Sequence, residues 1–337
     1  VNVLPPGKLP AALLARLLGG LTLPPEVVVG PGIGHDVTVI ETGGEELLVA
    51  KTDPITFATE ALGHYLVAVN VNDLATCGAT PRWLLVTLLL PEGRTTEALV
   101  EDLWVQLTTA CAAVEVALVG GHTEITCGLE RPLAVGLLLG TVARERLIHP
   151  GGTRPGDVIL LTKGVPLEGT ALIARERREQ LLAAGFEAGW LERCAQMLFD
   201  PGISVLPDAR ALCQAVRPQA LHDPTEGGLA TALWELAEAA GVGLVIDADR
   251  LPVLPEGKVL CEELGLDPLG TIASGSLLAA VAPADEAAAL AACRAAGIPC
   301  AAIGRATTPE EGVVLREDEG SRPLPRFDQD EITRLFG

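Results

Sequence analysis

Two apolar runs, WLLVTLLL at Trp83–Leu90 and LAVGLLLGTV at Leu133–Val142, restrict the folds open to this chain more than any other feature. A membrane-spanning helix needs about 20 apolar residues, so both runs are expected to be strands of a protein core. Strand-like and helix-like runs go on alternating through the 337 residues, which predicts an α/β or α+β protein. A chain of this length is expected to form two domains. Aromatic residues make up only 3%, so the core must be built from Leu, Val, Ile and Ala.

The patterns predict helices over 11–18, 60–77 and 95–114, and strands over 26–29, 37–41, 46–52, 83–90, 117–119 and 132–143. HPGGTRPGD, from His149 to Asp157, sets three glycines and two prolines in one short polar segment and reads as a joint. The expected domains are therefore 1–150 and 151–315, distantly alike in fold, with 316–337 as a charged, proline-broken tail or short closing helix. Beyond the joint, strands are expected over 158–162 and 300–303 and helices over 229–240 and 283–296.

The formal charge of −20 argues against nucleic acid and anionic membranes as partners. It leaves room for phosphorylated ligands if a metal or helix N-termini neutralise them. The 8 cysteines include no CxxC pair, which favours free thiols in a reducing compartment. The opening VNVLPPGKLPAALLARLLGG lacks a signal-peptide layout, so a cytoplasmic protein is expected.

Three aspartates stand out. GHDVTVIETGGEELLVAKTD reads as a hairpin about Gly43-Gly44, which sets Asp36 nearly opposite Asp53. Two like charges placed so repel unless a cation sits between them. Asp73 continues the helical stripe of Leu62, Leu66 and Val69, with Asn72 beside it, on a face that should be buried. Buried carboxylates need partners, and oxygen ligands of this kind suit Mg²⁺ with substrate phosphates. The plainer alternative gives Asp36 and Asp53 to turns and pairs Asp73 with a Lys or Arg such as Arg82.

Two further segments carry polar groups. In VGGHTEITCG, Gly121 permits close backbone approach, and His122, Thr123 and Glu124 are expected at the exit of a short strand. A metal ligand, a phosphate contact and an ordinary tight turn all fit. In LHDPTEGGLATALWELAEAAG, Asp223 ends an extended segment and Gly227-Gly228 precede a helix whose N–H groups could face an anion. There is no GxxxxGK[ST], GxSxG or HExxH. GPGIG leads into a strand rather than a helix. Cys77 and Cys127 read as small hydrophobes before nucleophiles.

Seven blocks in order, GIGHDVTVI, KTDPITF, VNDLATCGATPRWL, VGGHTEITCG, GDVILLTKG, HDPTEGGLATALWELAEAAGVG and CEELGLDPLGTIASGSLLAAV, resemble the aminoimidazole ribonucleotide (AIR) synthase superfamily. Within it they look most like the HypE family of hydrogenase-maturation factors. The resemblance implies an N-terminal domain that forms a β-barrel with a second subunit, a flanking C-terminal α/β domain, and a homodimer. It implies ATP and Mg²⁺ as cofactors, with Asp36, Asp53 and Asp73 holding metal and phosphates and Lys51, Asn72, Gly121, Thr123, Gly227 and Gly228 lining the nucleotide site. His122, Asp223 and Glu226 would line the reaction centre.

The implied chemistry is phosphorylation of an amide- or carbamoyl-type oxygen of an unidentified small-molecule or protein-borne substrate, as in hydrogenase maturation. Thiamine-monophosphate kinase, also in the superfamily, suggests phosphoryl transfer as the alternative. A nucleotide-binding scaffold without turnover is a third reading. The chain departs from HypE in ending LPRFDQDEITRLFG, where that family has Pro-Arg-Ile-Cys, and in having His122, Glu124 and Glu226 where HypE tends to have Asp, Lys and Arg. Glu226 would then bind metal rather than phosphate, and Lys51 and Lys163 are the nearest basic candidates.

Overall fold

The computed structural model describes residue 4 and residues 9–56, 60–318 and 320–335. Phe57 of the KTDPITF block, part of the opening segment and the last two residues of the tail lie outside these. The chain divides into two compact units: one is Leu23–Gly30 with Asp36–Leu147, the other Ile148 onward with residues up to Thr22 and Pro31–His35. Helix α1 (Ala11–Leu18) belongs to the second.

The first unit is a six-stranded sheet with helices on one face. Its strands are β1 (Val27–Val29), β2 (Thr38–Ile40), β3 (Glu46–Ile55), β4 (Thr80–Pro91), β5 (Ala117–Thr126) and β6 (Leu133–Ala143), in the spatial order β1-β2-β3-β6-β4-β5. Helices α2 (Leu62–Thr76) and α3 (Glu97–Ala113) complete it. Thr96 caps α3 by accepting from the Leu99 N–H at 3.2 Å. β4 and β5 pair in parallel across that helix, and the other neighbours are antiparallel.

Period-two alternation decides what each strand buries. Leu84, Val86, Leu88 and Leu90 of β4 are buried, whereas Trp83 is exposed and Leu85 and Leu89 are half-buried. Complete burial of such a leucine is worth about 2 kcal/mol. The two apolar runs are core strands, as expected, but on one face only. Helix α2 departs from the expected single stripe. It packs against β3, β6, β4 and α3 and is buried at every position but His64.

The second unit holds β7 (Val158–Thr162), β8 (Ala220–His222), β9 (Gly243–Asp247), β10 (Leu278–Val281), β11 (Cys300–Thr307), β12 (Val313–Glu317) and β13 (Gly320–Pro323). They form one sheet in the order β13-β12-β9-β11-β7-β10-β8. Around it lie α4 (Leu167–Glu176), α5 (Arg178–Ala183), α6 (Ala188–Gln196), α7 (Leu206–Ala215), α8 (Gly228–Ala240), α9 (Pro255–Leu264) and α10 (Glu286–Ala295). Ile159, Leu161, Leu244, Ile246 and Ile303 of the sheet pack against Leu229, Leu233 and Leu236 of α8. The tail is not loose: Leu324 and Ile332 are buried, and a 3-10 helix covers Glu331–Leu335. Among the described residues no helix is long and apolar enough to cross a membrane.

Candidate functional site

In the first unit the site is built on β3 and α2. Lys51 and Asp53 are two residues apart, so both point to the face of β3 that α2 covers. The helix runs back along the strand. Asn70 Nδ2 reaches the Asp53 carbonyl at 3.5 Å and the Leu66 carbonyl at 2.9 Å, while Asp73, one turn on, meets Lys51. Lys51 Nζ lies 3.0 Å from Asp73 and 3.7 Å from Asp53. The β2–β3 register of Thr38 with Ala50, continued by two residues, sets Asp36 across from Thr52, next to Asp53.

The cation that the aspartates require is therefore internal. Burial alone would lower the Lys51 pKa. The charges of Asp73, Asp53 and Asp36, with the hydrogen bond to Asp73, outweigh burial and hold it above the ordinary lysine value. The alternative pairing of Asp73 with Arg82 is not made, since Arg82 bonds Thr141 and lies 3.6 Å from Glu46. Asp73 is 3% exposed and committed to Lys51, whereas Asp36 and Asp53 are only half-buried. Their oxygen donors suit Mg²⁺. Asn72 is fully buried, and Asn70, one turn before Asp73, was missed although it shares that side of the helix. Burial pushes the Cys77 thiol up to about 12, so it is no nucleophile.

VGGHTEITCG is not a strand exit. Strand β5 runs through to Thr126, because each residue from Gly120 to Thr126 finds a ladder partner in β4. Gly121 has φ +146°, and a Cβ there would fall 1.8 Å from the Val86 carbonyl oxygen, so only glycine fits. His122 and Glu124 share one face of this edge strand, both exposed, with His122 Nε2 3.0 Å from Glu124. Thr123 is exposed beside them.

In the second unit Asp223 follows β8 and is buried, and Glu226 is half-buried ahead of Gly227 and Gly228. Gly228 has φ +63° and opens α8, where a Cβ would strike the Leu269 carbonyl oxygen at 2.5 Å. His222, just before Asp223, meets Glu235 of α8 at 3.0 Å. The Gly227 N–H was expected to face a ligand anion. It instead donates to the tail carboxylate of Asp330 at 2.7 Å. Asp330 also accepts from the Ile272 and Ile332 N–H groups, at 3.2 and 2.8 Å.

Burial pushes the Asp330 carboxyl up to about 6 against these donors, with the Glu226 charge adding to the rise. Glu168 in the first turn of α4 is pushed up to about 7 by burial, although it accepts from the Ser274 N–H at 3.3 Å. No local pattern marks Asp330, since its partner Gly227 is 103 residues away. Lys163 is not available to a phosphate, since its ammonium is buried against Asp208 at 2.9 Å and the Ser204 carbonyl at 2.7 Å.

Residues 34–142 match the N-terminal domain, and residues 154–316 the C-terminal domain, of AIR synthase related proteins. The chain belongs to this family. A carbamoyl dehydratase HypE of Rhodobacter capsulatus is 35% identical over 268 residues, 77% of this chain and 74% of the relative. Crystalline Escherichia coli HypE, a hydrogenase maturation protein, superposes with a TM-score of 0.73 at 25% identity, covering 86% of this chain and 88% of its own. A HypE solved in complex with ATP shares the fold, with a TM-score of 0.68 at 24% identity over 94% of this chain and 95% of its own. The family and the two-domain fold were thus legible in the seven sequence blocks.

Proposed function

We propose that this protein is an ATP- and Mg²⁺-dependent enzyme that phosphorylates a carbamoyl- or amide-type oxygen, and that it serves hydrogenase maturation. Membership of the AIR synthase related family and the relatives named carbamoyl dehydratase support the reaction class. The single observation that carries the site is the convergence of Asp53 and Asp73 on the Lys51 ammonium, with Asp36 beside them.

In this reading Asp36 and Asp53 hold Mg²⁺, which when bound neutralises phosphate charge. Asp73 aims the Lys51 ammonium, which offers N–H donors to the transferring phosphoryl group. The exposed Gly121–Thr123 segment contacts the nucleotide. His122 faces the acceptor. Once the carbamoyl oxygen carries phosphate it leaves as phosphate, the nitrogen gives up two protons, and a nitrile remains. The role of the protein is placement and charge neutralisation.

The protein works as a homodimer in this proposal. The face of the first sheet opposite α2 presents Trp83 and Leu137, and edge strand β5 presents Val119 and Ile125, all exposed in the single chain. An apolar face of this kind fits a second copy that closes the barrel. The 8 free cysteines favour a reducing compartment such as the cytoplasm.

The test incubates the purified protein with ATP, Mg²⁺ and a small S-carbamoyl thiol, and measures phosphate and product together. Free phosphate with a nitrile product, lost in Asp53→Asn, is expected. A stable phosphorylated acceptor without free phosphate would instead assign a kinase. Saturating ATP and Mg²⁺ should also raise unfolding stability by about 2.7 kcal/mol at a hundred times Kd. No rise at millimolar nucleotide would end the nucleotide reading.

A further inference from the structure

In the second unit the tail crosses the loop ahead of α8, and its fastenings are specific. The Leu324 N–H donates to the Val313 carbonyl of β12 at 3.0 Å, and Trp234 Nε1 of α8 donates to the Pro325 carbonyl at 3.3 Å. The Arg326 guanidinium stacks over the Trp234 ring at 3.7 Å. Phe327 lies against Gly270, where a Cβ would fall 2.5 Å from its ring, so the glycine makes its seat. Glu331 clasps the 267–270 turn twice. Its carboxylate accepts from the Asp267 N–H and its own N–H donates to the Gly270 carbonyl, each at 3.0 Å. That turn is joined to α8 by the Ala230 N–H, which lies 2.9 Å from the Leu269 carbonyl.

We propose that residues 324–335 are a strap that opens and closes over the glycine loop as a unit of its own, with Asp330 as its catch, and so controls access to that loop. The device is independent of the ATP reading. Of the strap, only Leu324, Asp330 and Ile332 are buried, and the other positions are half-buried or exposed. A segment with so little burial opens at a lower free energy than the sheet beneath it. Asp330 makes the closure. Its Oδ2 takes the Gly227 N–H at 2.7 Å. Its Oδ1 takes the Ile272 N–H at 3.2 Å and the Ile332 N–H at 2.8 Å. Loop, turn and strap thus meet on a single carboxylate. Burial raises its pKa against those donors, so the catch holds at a cost and stays releasable. Closed, the strap lies over buried Gly227 and Gly228; open, it returns the Gly227 N–H to solvent.

The test is hydrogen exchange of the full chain, read at single amides. In the wild type the Gly227, Ile272 and Ile332 amides should share one protection factor, lower than that of β7. Asp330→Ala should lower all three by at least about tenfold, the worth of hydrogen bonds to a charged group, and leave β7 unchanged. Asp330→Asn keeps one acceptor oxygen. It should retain protection at Ile272 and Ile332 and lose it at Gly227, which then faces the side-chain amino group.

Protection of the three amides equal to that of β7 in the wild type would overturn the proposal, since the strap would then open only with the whole unit. Unchanged protection of Gly227 in either variant, or an equal loss in β7, would do the same.

Discussion

The two units keep buried carboxylates by opposite means. In the first, Asp73 is matched by an ammonium at 3.0 Å, and the same lysine serves Asp53 and Asp36. In the second, Asp330 is held by three backbone N–H groups and Glu168 by one, and both carboxyls are raised toward neutrality. A counter-ion fixes charge at every working pH. Backbone dipoles without a counter-ion leave charge to be settled by the solvent proton concentration. The first arrangement suits a site that must present charge constantly to a phosphate. The second suits a fastening, here between the tail and the glycine loop.

Breaking the first arrangement should have the largest effect. Lys51→Met leaves Asp73 buried without its counter-ion, a loss of about 3–5 kcal/mol in urea unfolding. Adding Asp73→Leu removes the stranded charge and should recover most of that. A single variant that unfolds with wild type, or a double variant as unstable as the single, would show that Lys51 and Asp73 do not act as a pair.

The second arrangement predicts a pH dependence that the first lacks. Both carboxyl pKa values are raised in the folded state, so folding binds protons. Their contribution to stability is complete below about 4 and is lost as pH climbs through 6 and 7. A raised lysine behaves otherwise: the Lys51 contribution is complete below 10.5 and is lost only as pH rises beyond that. Glu168→Gln should therefore match wild type near pH 4 and exceed it at pH 8 by on the order of 3 kcal/mol, from the rise of 4.5 to about 7. Equal stability at both pH values would mean that Glu168 is ionised in the folded state at no cost.

What the sequence disclosed follows from which interactions are local. The hairpin pattern carried Asp36 to Asp53 because period two and a glycine turn set a register. Helical spacing singled out Asp73 because a carboxylate on an apolar helix is anomalous. Neither could tell Mg²⁺ from lysine as the cation, since Lys51 looked like any strand-end lysine until α2 was laid back along β3. The extension of β5 through Gly120–Thr126 was hidden for a related reason: the β4 ladder sustains it, not the propensity of its own residues. Asp330 was illegible altogether, because its partners lie at Gly227 and Ile272, far off in sequence.

The smallest expected effect on the fold falls on β5, and it bears on function. His122 and Glu124 are exposed and pair only at the surface, where such pairs contribute about 0–1 kcal/mol. His122→Ala should thus melt within about 0.5 kcal/mol of wild type. If His122 faces the acceptor, its loss should lower ATP-dependent product formation while leaving the nucleotide-induced rise in stability in place. Product formation equal to wild type would reduce His122 and Glu124 to a surface pair on an edge strand. The Lys51 cluster would then have to carry the phosphoryl step without help from β5.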